Sequence, residues 1–184
     1  HTDSSAASDV YKRQTIDSPP TSTSFIDRFL VTAEAYGIKA VLLFNKMDLY
    51  NHEREIIVED LIQTYSKIGY DYLKISAKKD INLNALKAIM KDKTSMFSGH
   101  SGVGKSTLVN AIEPALNLKT KAISEMHHQG QHTTTFAEMF DLSFGAHIID
   151  TPGIKGFGVV DMDSAELDQY FPEMFAIKSQ CKFH

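Results

Sequence analysis

One segment in the middle of the chain constrains its fold more than any other. Residues 99–107 read Gly-His-Ser-Gly-Val-Gly-Lys-Ser-Thr and fit G-x-x-x-x-G-K-[ST], the pattern of a phosphate-binding loop. Its glycines let the backbone turn N–H groups towards an anion, Lys105 can reach the β- and γ-phosphates, and Ser106 can bind Mg²⁺. Residues 94–98 before it are typical of a short buried strand, and residues 107–112 of a helix pointing at the anion. The alternative is a glycine- and serine-rich turn that matches by chance.

Apolar spacing on both sides of this loop predicts alternating helices and strands. Helices are predicted at 24–36, 52–68, 82–91, 107–112 and 163–171, and strands at 38–44, 70–76, 94–98, 136–143 and 146–150. This alternation predicts an α/β fold with a doubly wound, mostly parallel sheet that binds ligands at the carboxyl ends of its strands. Residues 118–135 have no clear period, and a loop of that length in a compact domain is usually functional or disordered.

Bulk composition limits the possible classes of protein. A chain of 184 residues suffices for one α/β domain, and a net charge of −4 gives no global sign of nucleic-acid binding. Cys181 is the single cysteine, which excludes an internal disulfide framework and favours a reducing cytosol. No apolar run approaches the ~20 residues of a membrane span, and the first residues lack the pattern of a secretory signal. We therefore expect a cytoplasmic monomer without membrane contact.

Two short motifs point to the base of a nucleotide. Asn45-Lys46-Met47-Asp48 follows the apolar strand at 38–44, and an N-K-x-D loop reads guanine. The Asp48 carboxylate can accept from the guanine N1–H and exocyclic amine, whereas adenine would leave it unpaired. Asn45 would brace neighbouring loops, and the Lys46 stem would lie over the base. In Ser76-Ala77-Lys78 the Ala77 N–H can donate to guanine O6. Taken alone, the N-K-x-D motif is as typical of a helix cap as of a guanine-binding loop. The S-A-K motif alone is a generic turn.

Two other segments can meet the γ-phosphate and Mg²⁺. Asp150-Thr151-Pro152-Gly153 follows the last predicted strand; Asp150 would hold Mg²⁺ through water, and the Gly153 N–H would meet the γ-phosphate. In the long loop, Thr134 would complete the Mg²⁺ shell, and His132 is the candidate for orienting the attacking water. The simpler alternatives are a tight Pro-Gly turn, a strand that begins at 133–135 and a solvated histidine. The motifs that each follow their own strand together predict a guanine-nucleotide site.

The predicted site residues form three groups. The nucleotide-binding residues are Asn45, Lys46, Asp48, Ser76, Ala77, Lys78, Gly99, Ser101, Gly102, Val103, Gly104, Lys105, Ser106, Thr107, Asp150 and Gly153. The catalytic residues are Lys105, Thr134 and His132, and the Mg²⁺ ligands are Ser106, Thr134 and Asp150. Lys105 and Ser106 would stabilise charge that develops at the β–γ bridge. Because Ile154 follows Gly153 where many GTPases place a glutamine, we expect slow intrinsic hydrolysis.

The order of the motifs is unusual. In common regulatory GTPases the phosphate loop comes first, whereas here the segments 45–48 and 76–78 precede it and 150–153 closes the set. Termini that lie close can be rejoined without changing a sheet, so this order indicates a circular permutation. With Phe-Ile-Asp-Arg-Phe-Leu at 25–30 and Gly-Gln-His-Thr-Thr-Thr at 130–135, the chain resembles the RsgA (YjeQ/EngC) family of circularly permuted GTPases over about residues 21–184.

The resemblance implies more than the residues show. Members of this family bind GTP and GDP with Mg²⁺ and hydrolyse GTP, stimulated by the small (30S) ribosomal subunit during its late maturation. They carry an RNA-binding OB-fold before the GTPase domain and a zinc-binding domain after it, so contacts with 16S rRNA would lie largely outside this chain. Cys181 matches the first cysteine of the zinc pattern, which predicts a Zn²⁺ ligand in the full-length protein only. His184 does not fall at the family's histidine position.

The same resemblance divides the chain. We expect a disordered or artefactual segment at 1–20, the permuted GTPase domain at 21–175 and the start of a zinc-binding domain at 176–184. Members of the family have a central buried strand before the helix near Phe25, where this chain has a polar sequence. The sheet would then have a gap, or residues 9–16 would fill it poorly, and we expect low stability.

These observations predict a GTP-hydrolysing factor in small-subunit maturation. One alternative is a nucleotide-binding module that does not turn over by itself. The other is an ATP-dependent phosphotransferase with a phosphate loop, against which Asp48 argues.

Overall fold

A computed structural model describes the chain over residues 8–14, 21–118, 138–150 and 167–180, with the backbone alone at 8–14, 138 and 150. Its strands are β1 (Ser8–Gln14), β2 (Ala40–Phe44), β3 (Asp71–Lys74), β4 (Thr94–Ser98), β5 (Glu138–Leu142) and β6 (Ala146–Asp150). Its helices are α1 (Thr23–Ala35), α2 (His52–Ile68), α3 (Leu83–Met90), α4 (Lys105–Ile112) and α5 (Pro172–Lys178). No helix in these ranges combines the length and apolar character needed to cross a membrane.

Within the described ranges, the strands form a six-stranded sheet in the order β3-β2-β1-β4-β6-β5. Strand β1 pairs in parallel with β2 and β4, β2 with β3, and β4 with β6, whereas β5 runs antiparallel to β6. Strand β1 lies at the centre, β2 and β3 extend the sheet to one edge, and β4 returns to the centre beside β1. The β5–β6 hairpin completes the other side, with β5 at the edge. The expected doubly wound, mostly parallel α/β fold is confirmed. The reversal between β1 and β4 is where such sheets bind ligands.

Capping residues explain where the long helices begin and end. Ser22 accepts a hydrogen bond from the Phe25 N–H at the start of α1, and Asn51 accepts one from Arg54 at the start of α2. Gly69 ends α2 with φ of 115°, a left-handed conformation that glycine adopts without a Cβ penalty. Pro114 lies just beyond α4 and begins a 3₁₀ turn, because a helix interior does not tolerate proline.

Strand β2 connects two apolar cores, one on each face of the sheet. Leu42 and Phe44 pack with residues of α1 and α2, and Val41 and Leu43 pack with residues of α3, α4 and the β5–β6 hairpin. All four side chains are 0% exposed. An apolar run buried on both faces is typical of a central parallel strand, and it holds the end of β2 at a fixed place.

Strand β1 corrects one expectation from the sequence. The expectation was a disordered or artefactual segment at residues 1–20, whereas Ser8–Gln14 forms the central strand of the sheet. The alternative, a polar segment taking the place of the missing strand, is the one observed over 8–14. In the register of the sheet, Lys12 lies beside Leu42 and Ser98, both of which are buried. A central parallel strand is usually a continuous apolar run, so hydrophobic periodicity could not detect this one.

The C-terminal part also differs from the prediction. Of the helix expected at 163–171, the described residues form a 3₁₀ turn at Leu167–Tyr170, and residues 163–166 lie outside the described ranges. Helix α5, which was not predicted, begins at Pro172, because proline suits a first helical position whose N–H has no helical acceptor. Strands β2 and β3 are shorter than predicted, and β5 ends one residue earlier than predicted, whereas β4, β6 and α2 have the predicted bounds.

A buried carboxylate fastens the β5–β6 hairpin to the end of α4. Glu113 is 7% exposed, and its Oε2 accepts a hydrogen bond from the Ser143 N–H at 2.6 Å. This bond is the main reason that the pKa of Glu113 lies below its usual value; the Ser143 hydroxyl and the Lys87 charge act in the same direction, and burial opposes them. The ionised carboxylate therefore stabilises the turn between β5 and β6.

We predict that Lys12→Val raises the stability of the chain by about 1 kcal/mol, because a central parallel strand favours β-branched apolar residues over lysine. Urea denaturation measures the change. Lys91→Val, at an exposed position after α3, is the control and should change stability by less than about 0.5 kcal/mol. Equal stability of the Lys12 variant and the unmodified chain would contradict the central placement of β1.

We predict that Glu113→Gln costs about 2 kcal/mol at neutral pH, because a buried charge-assisted hydrogen bond is weakened. Since the folded-state pKa is lowered, this contribution is complete above the unfolded value of 4.5 and is lost as pH falls through the folded-state pKa. The stability difference between the two proteins should therefore shrink on acidification, as measured by urea denaturation at several pH values. The exposed Glu55→Gln serves as control, and a pH-independent difference would refute this role.

Candidate functional site

The predicted motifs meet at the carboxyl edge of the parallel strands. The segment 45–48 follows β2, 76–78 follows β3, 99–107 follows β4, and Asp150 is the last residue of β6. Because β2 and β4 flank β1 in the sheet, the segments predicted to read the base and to bind phosphate lie on either side of the central strand. The architecture thus places them at one end of the molecule.

The phosphate loop has the backbone conformation that anion binding requires. Gly102 and Gly104 have φ values of 81° and 90°, which a residue with a Cβ rarely adopts. Gly104 caps α4, which begins at Lys105, so the N–H groups of the first helical turn face the loop. Val103 between the glycines is fully buried and anchors the loop in the protein.

The Lys105 side chain folds back over its own loop. Its Nζ donates to the Gly99 carbonyl at 2.6 Å and to the His100 carbonyl at 3.0 Å. These contacts hold the ammonium group above the loop, where a polyphosphate would meet it. His100 was not among the predicted site residues, because its contribution here is a backbone carbonyl that no side-chain pattern reveals.

Asn45 joins three of the predicted segments. Its Nδ2 donates to the Val103 carbonyl of the phosphate loop at 3.3 Å, and its Oδ1 accepts from the Ala77 N–H at 3.2 Å. The side chain is 2% exposed, so both bonds are formed away from water. The expectation that Asn45 braces neighbouring loops agrees with this geometry.

Asp48 and Lys46 are held by the same two loops. The Ser76 hydroxyl donates to Asp48 Oδ1 at 2.5 Å and accepts from the Lys79 N–H at 3.1 Å. Lys46 has a left-handed backbone with φ of 66°, and its Nζ donates to the Gly102 carbonyl at 3.0 Å. The Asp48 carboxylate is therefore held by Ser76, and the Lys46 side chain runs from the 45–48 segment to the phosphate loop.

The structure describes some of the remaining predicted residues in full, one by its backbone alone and others not at all. Ser106 is partly buried in the first turn of α4, whereas Lys78, Ser101 and Thr107 are exposed. For Asp150 the backbone alone is described. The predicted residues outside the described ranges are His132, Thr134, Gly153 and Cys181. Within the described ranges, no group of three or more His, Cys, Asp or Glu side chains has the arrangement of a metal site.

Comparison with known proteins identifies the family. The family model for the RsgA GTPase matches residues 13–160. The chain belongs to the RsgA GTPase family. The small ribosomal subunit biogenesis GTPase RsgA of Flavobacterium psychrophilum is 62% identical over 177 residues, which cover 95% of this chain and 54% of that protein. The RsgA of Christiangramia forsetii is 63% identical over 175 residues, which cover 95% of this chain and 56% of that protein. The chain thus spans about half the length of these relatives.

Solved structures of RsgA relatives share the fold. YjeQ from Thermotoga maritima superimposes with a TM-score of 0.77 at 37% identity and covers 91% of this chain and 55% of its own. YloQ, a circularly permuted GTPase, superimposes with a TM-score of 0.74 at 31% identity. The match covers 97% of this chain and 56% of the YloQ chain. The circular permutation inferred from the order of the motifs is therefore confirmed.

Proposed function

We propose that this chain is the GTP-binding and GTP-hydrolysing domain of a factor that matures the small ribosomal subunit. The contacts of Asn45 carry the proposal, because they join the N-K-x-D, S-A-K and phosphate loops in one buried network. A site that only bound phosphate would not need a carboxylate oriented towards a base. Asp48, held by Ser76, supplies an acceptor pair that matches guanine and leaves adenine without partners.

The phosphate end of the site supports triphosphate chemistry. The glycine-rich backbone and the α4 N-terminus offer N–H donors to the α- and β-phosphates, and Lys105 supplies a positive charge near the β–γ bridge. The donor set also fits Mg²⁺, a cation that prefers oxygen ligands: the Ser106 hydroxyl lies in the first turn of α4, and Asp150 ends the strand paired with β4. Thr134 is the third proposed ligand. Bound Mg²⁺ would neutralise charge on the β- and γ-phosphates.

Hydrolysis needs a group that orients water, and we assign this role to His132. Ile154 occupies the position after Gly153 and cannot orient a water molecule, so turnover by the chain alone should be slow. The Gly153 N–H would contact the γ-phosphate. An activating surface, which we take to be the small ribosomal subunit, would bring His132 into place.

The ribosomal partner is proposed from the names of the relatives. The matched relatives are called small ribosomal subunit biogenesis GTPases, and this chain spans about half of their length. We propose that 16S rRNA is contacted largely by the other half, that Cys181 binds Zn²⁺ only in the full-length protein, and that the protein is a cytoplasmic monomer.

The base specificity can be tested by replacing the Asp48 carboxylate with an amide. Asp48→Asn should weaken GDP binding about a hundredfold and favour xanthosine diphosphate, because an amide can donate to the C2 oxygen of xanthine but cannot accept from two guanine N–H groups. Titration calorimetry with GDP, xanthosine diphosphate and ADP measures the preference. The exposed Asp60→Asn should bind like the unmodified chain. Preference of the unmodified chain for ADP would instead favour a phosphotransferase.

Turnover can be tested with purified small subunits. The unmodified chain should hydrolyse GTP slowly alone and faster with the subunits, and His132→Ala should remove most of the stimulation, about a hundredfold for a lost general acid–base or orienting group. His128→Ala is the matched control and should retain it. Unchanged stimulation of the His132 variant would refute its role. GDP binding without stimulated turnover by the unmodified chain would indicate a binding module.

A further inference from the structure

Helix α1 reaches the phosphate loop through an aromatic pair. The rings of Phe25, in the first turn of α1, and His100, the second residue of the phosphate loop, are stacked with centroids 4.0 Å apart and planes 27° apart. Aromatic pairs of this kind contribute to stability beyond the area that they bury. The His100 backbone carbonyl also accepts a hydrogen bond from Lys105 Nζ.

Phe25 is a fixed platform for this contact. Its N–H donates to the Ser22 hydroxyl at 3.3 Å and to the Ser22 carbonyl at 3.1 Å, which caps the helix at this turn. Ile26 and Phe29, on the same helix, are 0% and 1% exposed and pack α1 against the core. The helical turn that carries the Phe25 ring is therefore held in place by the core.

His100 passes this constraint to the charged group of the site. Its carbonyl accepts from Lys105 Nζ at 3.0 Å and from the Val103 N–H at 3.4 Å. The second half of the loop is held from the other side, because Asn45 and Lys46 bind the carbonyls of Val103 and Gly102. The Phe25–His100 stack holds the first half of the phosphate loop, so the loop is contacted on one side by α1 and on the other by the 45–48 segment.

We propose that Phe25 is a positioning residue for nucleotide binding, which rests on the proposed function. Its ring fixes His100, and His100 in turn fixes the Lys105 ammonium group and the loop backbone that meet the β-phosphate. The effect is confined to the polyphosphate. Asp48, the proposed ligand of the base, is held by the Ser76 hydroxyl and by its own loop.

The test compares GDP with GMP, which has no β-phosphate. In the 184-residue chain, Phe25→Ala should weaken GDP binding about three- to tenfold, the effect of losing an aromatic pair, and leave GMP binding unchanged. His100→Ala should do the same from the loop side, and it serves as the test if the Phe25 variant does not fold. The double variant should lose no more than either single variant, because both remove the same contact.

Matched variants separate positioning from general destabilisation. Phe25→Tyr keeps the ring and should retain GDP affinity within about twofold. Tyr36→Ala removes an exposed aromatic residue at the other end of α1 and should bind GDP normally. Equal losses for GDP and GMP, or additive losses in the double variant, overturn the inference while the proposed function stands. If the unmodified chain does not bind GDP, the proposed function itself fails and the inference fails with it.

Discussion

The buried side chain of Asn45 is the contact on which the arrangement of the site depends. It donates to Val103 and accepts from Ala77, so one amide group satisfies two backbone groups from two different loops. An amide carries a donor and an acceptor in one plane, which neither a carboxylate nor an aliphatic residue can provide. Without it, a buried carbonyl and a buried N–H would both lose a partner, at about 1–3 kcal/mol each. The relative position of base and phosphate contacts follows from this residue.

The core explains why that amide is held so firmly. Leu42, Leu43 and Phe44 immediately precede Asn45 and are fully buried on alternating faces of the sheet. A shift of β2 by one residue would exchange the faces of these side chains and is therefore strongly disfavoured. The position of Asn45, and with it that of the proposed nucleotide site, thus comes from apolar packing in the preceding strand.

Much of the fold could be predicted where local pattern and tertiary environment agree. The bounds of α2, β4 and β6 followed from apolar spacing, and the chemistry of the N-K-x-D, S-A-K and phosphate-loop motifs predicted which loops would meet. Apolar spacing could not predict strand β1, which the family resemblance offered only as an alternative. The strands β2 and β4 offer hydrogen bonds on both sides to any backbone, and this pairing outweighs the polar sequence. The stack of Phe25 on His100 also escaped prediction, since it depends on how α1 rests on the sheet and leaves no periodic signal.

The permuted order of the segments has a consequence for how the molecule is made. Asn45 and its acceptor Val103 are 58 residues apart, and the base-reading half precedes the phosphate-binding half along the chain. A chain grows from its N-terminus, and its parts fold as they emerge. Strands β1, β2 and β3 with α1 and α2 therefore emerge from the ribosome before β4 does, with the β4 side of β1 still unpaired. During synthesis this molecule exposes an open sheet edge that the phosphate loop and its strand later close.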